Sequence, residues 1–182
     1  MSRIIAFLLL ILLSPLLLLV SIIIVIEDGM PFLFIHERAG KNGAPFKMYK
    51  FRTMKKNTPV RASNKIKHPA DYLLKNGKWM RKTSIDEWPN LINVLKGEMT
   101  FVGPRPVLES EKKLLRLRHK YGIETQKPGI TGYAQVNGRD NISLERKLVL
   151  ERYYFRHKTT WMRVKIVAKT LKIVLRASGI RF

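Results

Sequence analysis

Two adjacent carboxylates, Asp86 and Glu87, stand out in a chain of 182 residues that sets 35 Lys and Arg against only 13 Asp and Glu. Arg81, Lys82, Lys96 and Arg105 flank them in sequence, and positive neighbours favour the ionised form of a carboxylate. One member of such a pair can attack phosphorus while the pair helps hold a divalent cation against a diphosphate. Magnesium fits this use of Asp86 and Glu87 as ligands, because the donors are hard oxygens and the chain has no cysteine. Spacing alone leaves a second explanation open: acidic residues at a helix start also cap the helix and complement its dipole.

Two further segments carry groups that could grip a substrate. In Gly103-Pro-Arg-Pro106 a proline on each side restricts the backbone around Arg105, so its guanidinium starts partly preorganised for bidentate phosphate binding. In the run from Lys127 to Arg139, three glycines allow close backbone approach, while Gln135, Asn137 and Arg139 supply donors that a nucleotide or sugar could use. Turn formation alone would also explain those glycines.

These groups need elements to position them. Residues 31–35 and 46–54 read as strands, with Gly40, Asn42 and Gly43 offering left-handed positions for a tight reversal, so a small β-hairpin is expected. Residues 55–70 read as a basic loop and 72–80 as a short helix. After the acidic pair, Pro89 marks a helix start, Lys96 a last turn and Gly97 a C-terminal cap, which sets the pair at a helix N-terminus. Further helices are expected over 109–121, ended by Gly122, over 143–156 and over 160–178. In the last, Lys165, Lys169, Lys172 and Arg176 share one face, and Val164, Val167, Leu171 and Val174 share another. Such a helix suits either an anionic membrane surface, with Trp161 at the interface, or packing on the domain with its lysines solvated.

Ahead of all this lies an apolar run from Ile4 to Ile26, about 34 Å long as a helix and so long enough to cross a bilayer. It is too long, and too poor in small polar residues after it, for a cleaved signal. Pro15 takes away the amide that would bond the Ile11 carbonyl, and the Ser14 hydroxyl can replace it, so a mid-segment bend is cheap. A spanning helix and a helix-break-helix that returns to the same face both remain open on these grounds. Of the 35 basic residues only Arg3 precedes the run, so the positive-inside bias places the rest of the chain in the cytoplasm.

The net charge of +22 attracts phosphates, nucleic acid or anionic lipid without choosing among them. The absence of cysteine excludes disulfides and thiolate metal sites, and His36, His68, His119 and His157 are too scattered in sequence to suggest a zinc pair. A tethered nucleic-acid binder would show salt-steep affinity for DNA or RNA. A basic membrane scaffold is the other rival. Both leave the acidic pair and the Gly-Pro-Arg-Pro loop unused.

Taken together, Ser84-Ile-Asp-Glu-Trp-Pro-Asn90, Asn93-Val-Leu-Lys-Gly-Glu-Met99, Gly103-Pro-Arg-Pro106 and Pro128-Gly-Ile-Thr-Gly-Tyr-Ala-Gln-Val-Asn-Gly-Arg139 closely resemble the bacterial sugar transferase family of monotopic phosphoglycosyl transferases. Arg38-Ala-Gly40, Lys50-Phe-Arg-Thr-Met54 and the Ser14-Pro15 break extend the resemblance over nearly the whole chain. It implies a mostly helical α+β fold with a re-entrant membrane helix over 1–27 and a cytoplasmic catalytic domain over 28–182 carrying interfacial helices. It implies that Asp86 is the nucleophile, forming a covalent phosphosugar intermediate from a UDP-sugar with release of UMP, and that Glu87 assists beside Mg²⁺. Polyprenyl (undecaprenyl) phosphate then collects the phosphosugar in a ping-pong second step. Arg105 is expected to bind phosphate, and Arg38, Lys50, Arg52, Gln135, Asn137 and Arg139 to shape the substrate pocket.

The expected setting is the bacterial inner membrane, in contact with phospholipid, with no nucleic-acid partner and with a homodimer left open. The resemblance is to the minimal catalytic core. Trp88, Asn90, Tyr133 and Glu151 depart from the residues common in the family, and neither the sugar nor the glycan pathway is legible.

Overall fold

The computed structural model describes residues 1–58, 69–138 and 142–176. It is mostly helical, with two small two-stranded sheets among the described residues. Helix α1, Ser2–Asp28, is long and apolar enough to cross a membrane. Its residues stay helical through Ser14 and Pro15, and Ser14 Oγ donates to the Ile11 carbonyl at 2.8 Å, the acceptor that Pro15 leaves without an amide, which is the bond that makes a bend cheap there.

Strands β1, Leu33–Ala39, and β2, Pro45–Phe51, pair antiparallel, with Arg38 opposite Phe46 and Phe34 opposite Lys50. The hairpin is the expected one, shifted along the chain. Asn42 and Gly43 adopt left-handed φ values of 56° and 76°, but Gly40 does not, at −99°. A Cβ on Gly40 would instead press on the Ala44 carbonyl and the Phe46 ring, so closeness and not handedness selects glycine there.

Helix α2 forms one turn later than expected, at Gly77–Thr83, with a 3₁₀ turn at Pro69–Tyr72 ahead of it. Gly77 faces the Thr53 carbonyl so closely that no Cβ fits. A 3₁₀ turn, Ile85–Glu87, then leads to α3, Asn90–Lys96, which ends on Gly97 at φ 84° as its sequence punctuation requires. Strand β3, Thr100–Val102, pairs parallel with β4, Gly129–Thr131. Between them stands α4, Lys112–Lys120, shorter than expected, and after them come α5, Tyr133–Val136, α6, Leu144–His157, and α7, Thr160–Leu175. Ser143 and Thr159 cap α6 and α7 by accepting from Arg146 N–H and Met162 N–H.

Helix α1 packs on the rest of the chain along its length. Ala6 joins a core with Met48, Leu91, Val94 and Met99, while Val20 and Ile24 join another with Phe51, Leu74, Met80 and Ile85. Its two ends are also tied down. Arg3 Nη2 donates to the last α3 residue, Lys96, at its carbonyl, and Glu27 and Asp28 accept from Lys75 and Lys56 N–H. Cations suit a helix C-terminus, which is what Arg3 finds at α3.

Helix α7 buries Ile166 against Val102, Val136 and Tyr154. That packing leaves Trp161, Val164, Val167, Leu171 and Leu175 exposed beside exposed Lys165, Lys169 and Lys172. The helix thus packs on the domain, as one of the two expectations had it, and keeps an exposed apolar face.

Candidate active site

The acidic pair occupies the 3₁₀ turn Ile85–Glu87, wedged between α2 and α3. Ile85 anchors the turn in the core with Met80 and Phe51. Ser84, at the junction, takes a left-handed φ of 57°, an uncommon state for a residue with a Cβ and a way to turn the chain sharply into the pair. On the other side Asn93 is fully buried and satisfied: its amide donates to the Lys47 carbonyl and to Glu98, both at 2.7 Å, and accepts from Tyr49 N–H at 3.2 Å. Asn93 thereby locks α3, and the turn before it, onto the strand that carries Lys50.

Asp86 and Glu87 are half-buried. Burial first and Glu87 second push the Asp86 carboxyl up to about 7, while Lys50 and Arg81 pull it down. Lys50 Nζ donates to Glu87 Oε1 at 2.6 Å. Arg81 Nε donates to Thr53 Oγ1 at 3.0 Å, which holds it near Asp86. Such an arrangement offers a nucleophilic oxygen in a sheltered, cation-rich corner.

Arg38 and Arg105 are neighbours although they stand 67 positions apart, because Ala39 N–H donates to the Val107 carbonyl at 3.0 Å and bridges β1 to the proline loop. Burial, then Arg105, lowers the Arg38 pKa, whereas Glu111 and Glu87 raise it. Its Nε is buried without a protein partner. Pro104 and Pro106 are buried and present Arg105 outward. The glycines explain how this loop is held. Gly103 N–H donates to Thr131 O and Gly129 N–H to Pro104 O, each at 2.9 Å, and a Cβ on Gly103, Gly129 or Gly132 would collide with the opposing backbone. The close approach expected between this glycine segment and a ligand is therefore made between two stretches of backbone.

Gln135 lines a pocket with Arg105; its Oε1 is buried and unpartnered. Asn137 is exposed, donates to the Tyr133 carbonyl and accepts from Lys169 at 2.7 Å. Arg52 stands apart. It is buried against the end of α1, donating to Asp28, to the Gly29 carbonyl and to the Pro31 carbonyl, so it fixes the anchor. Arg139 lies outside the described residues.

Two residues that the sequence reading did not single out as a pair complete the frame. Arg118 and Glu151 are both buried and doubly bonded, at 2.9 and 2.6 Å, and Arg118 Nη1 also donates to the Arg105 carbonyl at 3.0 Å. The only sequence sign was Glu151 as a departure from a family aspartate. Asn90, fully buried at the head of α3, has neither amide atom partnered within the protein.

Among the described residues no three His, Cys, Asp or Glu side chains converge. Asp86 and Glu87 offer two adjacent carboxylates as hard-oxygen donors for a cation, and magnesium commonly binds one or two carboxylates together with substrate phosphates and water. The neighbouring Glu87 charge, which raises the proton affinity of Asp86, fits that incomplete donor set.

Residues 1–177 match the family model for bacterial sugar transferases. An undecaprenyl-phosphate galactose phosphotransferase of Salmonella typhimurium is 37% identical over 85% of this chain and 36% of its own length. An uncharacterized sugar transferase of Bacillus subtilis, EpsL, is 42% identical over 86% of this chain and 76% of its own. An undecaprenyl-phosphate glucose phosphotransferase of Komagataeibacter xylinus is 37% identical over 91% of this chain and 33% of its own. The chain thus spans about a third of the length of the two phosphotransferases.

Proposed function

The chain belongs to the bacterial sugar transferase family, and from that premise we propose that it moves a phosphosugar from a UDP-sugar to polyprenyl phosphate through Asp86. Relatives named as undecaprenyl-phosphate phosphotransferases support the lipid acceptor. The observation that carries the chemistry is the Asp86 carboxyl, sheltered in a rigid turn between Lys50 and Arg81 with Glu87 at its side.

In the first step an Asp86 oxygen bonds to the sugar-bearing phosphorus, and the bridging P–O bond breaks with its electron pair leaving on UMP. In the second, an oxygen of polyprenyl phosphate attacks the same phosphorus and Asp86 departs as carboxylate. Lys50 and Arg81 favour the ionised nucleophile, and Arg105 and Arg38 bear on the phosphates. Magnesium, which Asp86 and Glu87 would hold, supplies neutralisation of the diphosphate charge.

The acceptor keeps its tail in lipid and its phosphate at the interface, so the nucleophile must sit at headgroup depth. The exposed apolar faces of α1, including Phe7, Leu8, Leu12 and Ile26, and of α7, with Trp161, Val164 and Leu171, suit that placement at the cytoplasmic face of the inner membrane. Attachment of both α1 ends to one catalytic domain supports entry and exit at the same leaflet.

The test is incubation of the purified chain with Mg²⁺, polyprenyl phosphate and a panel of UDP-sugars while UMP is measured. Release of UMP with one donor, lost in Asp86→Asn, is the expected result. Silence with every donor would refute the reading.

A further inference from the structure

Just past the end of α1 at Asp28, the chain lays a row of apolar side chains along the start of β1. Met30, Phe34 and Ile35 are exposed there. Beside them runs an open cleft of about 680 Å³, lined by residues 31–35 together with Arg52 and Lys56. Arg52 already donates to Asp28 and to the Gly29 and Pro31 carbonyls, so its charge is answered within the protein. What remains is a mostly apolar surface of a size that holds a ligand.

The position of this cleft relative to the acidic turn points to its occupant. Phe34 stands directly opposite Lys50 in the hairpin, and cross-strand partners carry their side chains on one face with Cβ atoms about 5 Å apart. Lys50 Nζ is the group bonded to Glu87. The exposed Phe34 ring is thus one cross-strand step from the cation that touches the acidic pair. Phe32 and Leu33 pack in the same cluster as Ile85 and Trp88, the residues on either side of that pair. At its other end the row begins two positions after α1, close to exposed Ile26. A continuous apolar path therefore joins the exposed end of α1 to the neighbourhood of Asp86. A UDP-sugar has no apolar chain to place on such a path, whereas a lipid phosphate must bring its head to Asp86 while its tail stays with the membrane.

We propose that the β1 cleft carries the prenyl chain of the acceptor, with Phe34 and Ile35 against the isoprene units nearest its phosphate. The inference rests on the transferase reading above and names the part of the site that recognises lipid.

The test uses the whole chain in detergent micelles, so that bilayer attachment does not limit the rate, with geranyl and geranylgeranyl phosphate as acceptors. In a two-step exchange, kcat/KM for the acceptor reports only the second half-reaction, and in the wild type it should rise from the shorter chain to the longer. The double variant Phe34→Ser, Ile35→Ser should lose about tenfold to a hundredfold of it with the longer chain, the effect of withholding two large apolar contacts, and should flatten the dependence on length. Phe34→Leu should keep most of it. Equal losses in kcat/KM for donor and acceptor, or a length dependence like that of the wild type, overturn the track. A double variant that keeps that dependence and only floats less well with liposomes assigns the face to bilayer lipid, and likewise overturns it.

A readout free of turnover accompanies these. Geranylgeranyl phosphate bearing a diazirine in the isoprene next to its phosphate should, under light, label the wild type within residues 30–35, and unmodified geranylgeranyl phosphate should compete. Labelling confined to other segments overturns the track. Wild-type UMP release with an acceptor step blind to chain length sinks the track and spares the transferase reading, whereas a wild type that releases no UMP sinks the reading itself.

Discussion

Lys50 Nζ reaches Glu87 Oε1 at 2.6 Å and so ties β2 to the turn that carries the acidic pair. The same ammonium draws the Asp86 carboxyl down while burial and Glu87 push it up. Removing it leaves two neighbouring carboxylates with one counter-charge fewer. Lys50→Met is expected to slow UMP release by about tenfold to a hundredfold at pH 7 and to move the acid limb of the rate profile upward; Lys50→Arg should retain more activity. An unshifted profile in Lys50→Met would separate Lys50 from the nucleophile.

Asp86 itself sets a pH dependence of stability. Its carboxyl lies at about 7 in the fold against the ordinary 3.8 of a free aspartate, so the neutral form is the one the fold prefers. The stability it contributes is complete below pH 3.8 and is lost as pH rises through 7. In metal-free buffer Asp86→Asn, which is expected to lack activity, should therefore melt above the wild type at pH 8, by on the order of 2 kcal/mol once partial exposure is discounted, with the gap narrowing at pH 5. Equal melting at both pH values would show that the turn does not strain its carboxylate.

Arg118 and Glu151 make a different prediction, because both are buried. Glu151→Gln or Arg118→Met alone strands a charge and is expected to cost about 3–5 kcal/mol in a thermal or denaturant melt. The double replacement should cost less than the two single changes together, since no orphan charge remains. Strict additivity would mean that the pair is not coupled. The Arg118 bond to the Arg105 carbonyl adds a kinetic signature: partial folding rescue in the double variant should leave donor affinity impaired.

The acidic turn was legible in the sequence because punctuation is local: Pro89 and Gly97 bracket α3 within nine positions, and the pair had to fall just before it. The hairpin was legible for the same reason, through Asn42 and Gly43. What sequence could not show is long-range. Strands β3 and β4 are three residues each and pair across α4, so neither carries a period to read. Gly129 and Gly132 looked like ligand-approach positions, and the partner they approach proved to be the Gly103 backbone. Arg118 and Glu151 stand 33 apart on separate helices, and nothing in their spacing announces a pair. Arg52 shared a motif with Lys50, yet the return of the chain past Asp28 captured it first.

Helix α1 offers the sharpest test of topology. Arg3 is bonded to Lys96, and 24 positions later Glu27 accepts from Asn76 at 3.1 Å, so both ends rest on one folded unit. A helix of 27 residues that crossed the bilayer would carry its ends to opposite surfaces, about 40 Å apart. It could not keep both bonds to a domain on one side. The chain has no cysteine, which makes single-cysteine labelling clean. Ser2→Cys and Lys41→Cys, both exposed positions, should react with an impermeant maleimide from the same face of sealed vesicles. Protection of Ser2→Cys where Lys41→Cys reacts would mean that the segment spans. The Arg3 contact would then have to break in the membrane, and with it the one-leaflet placement of Asp86.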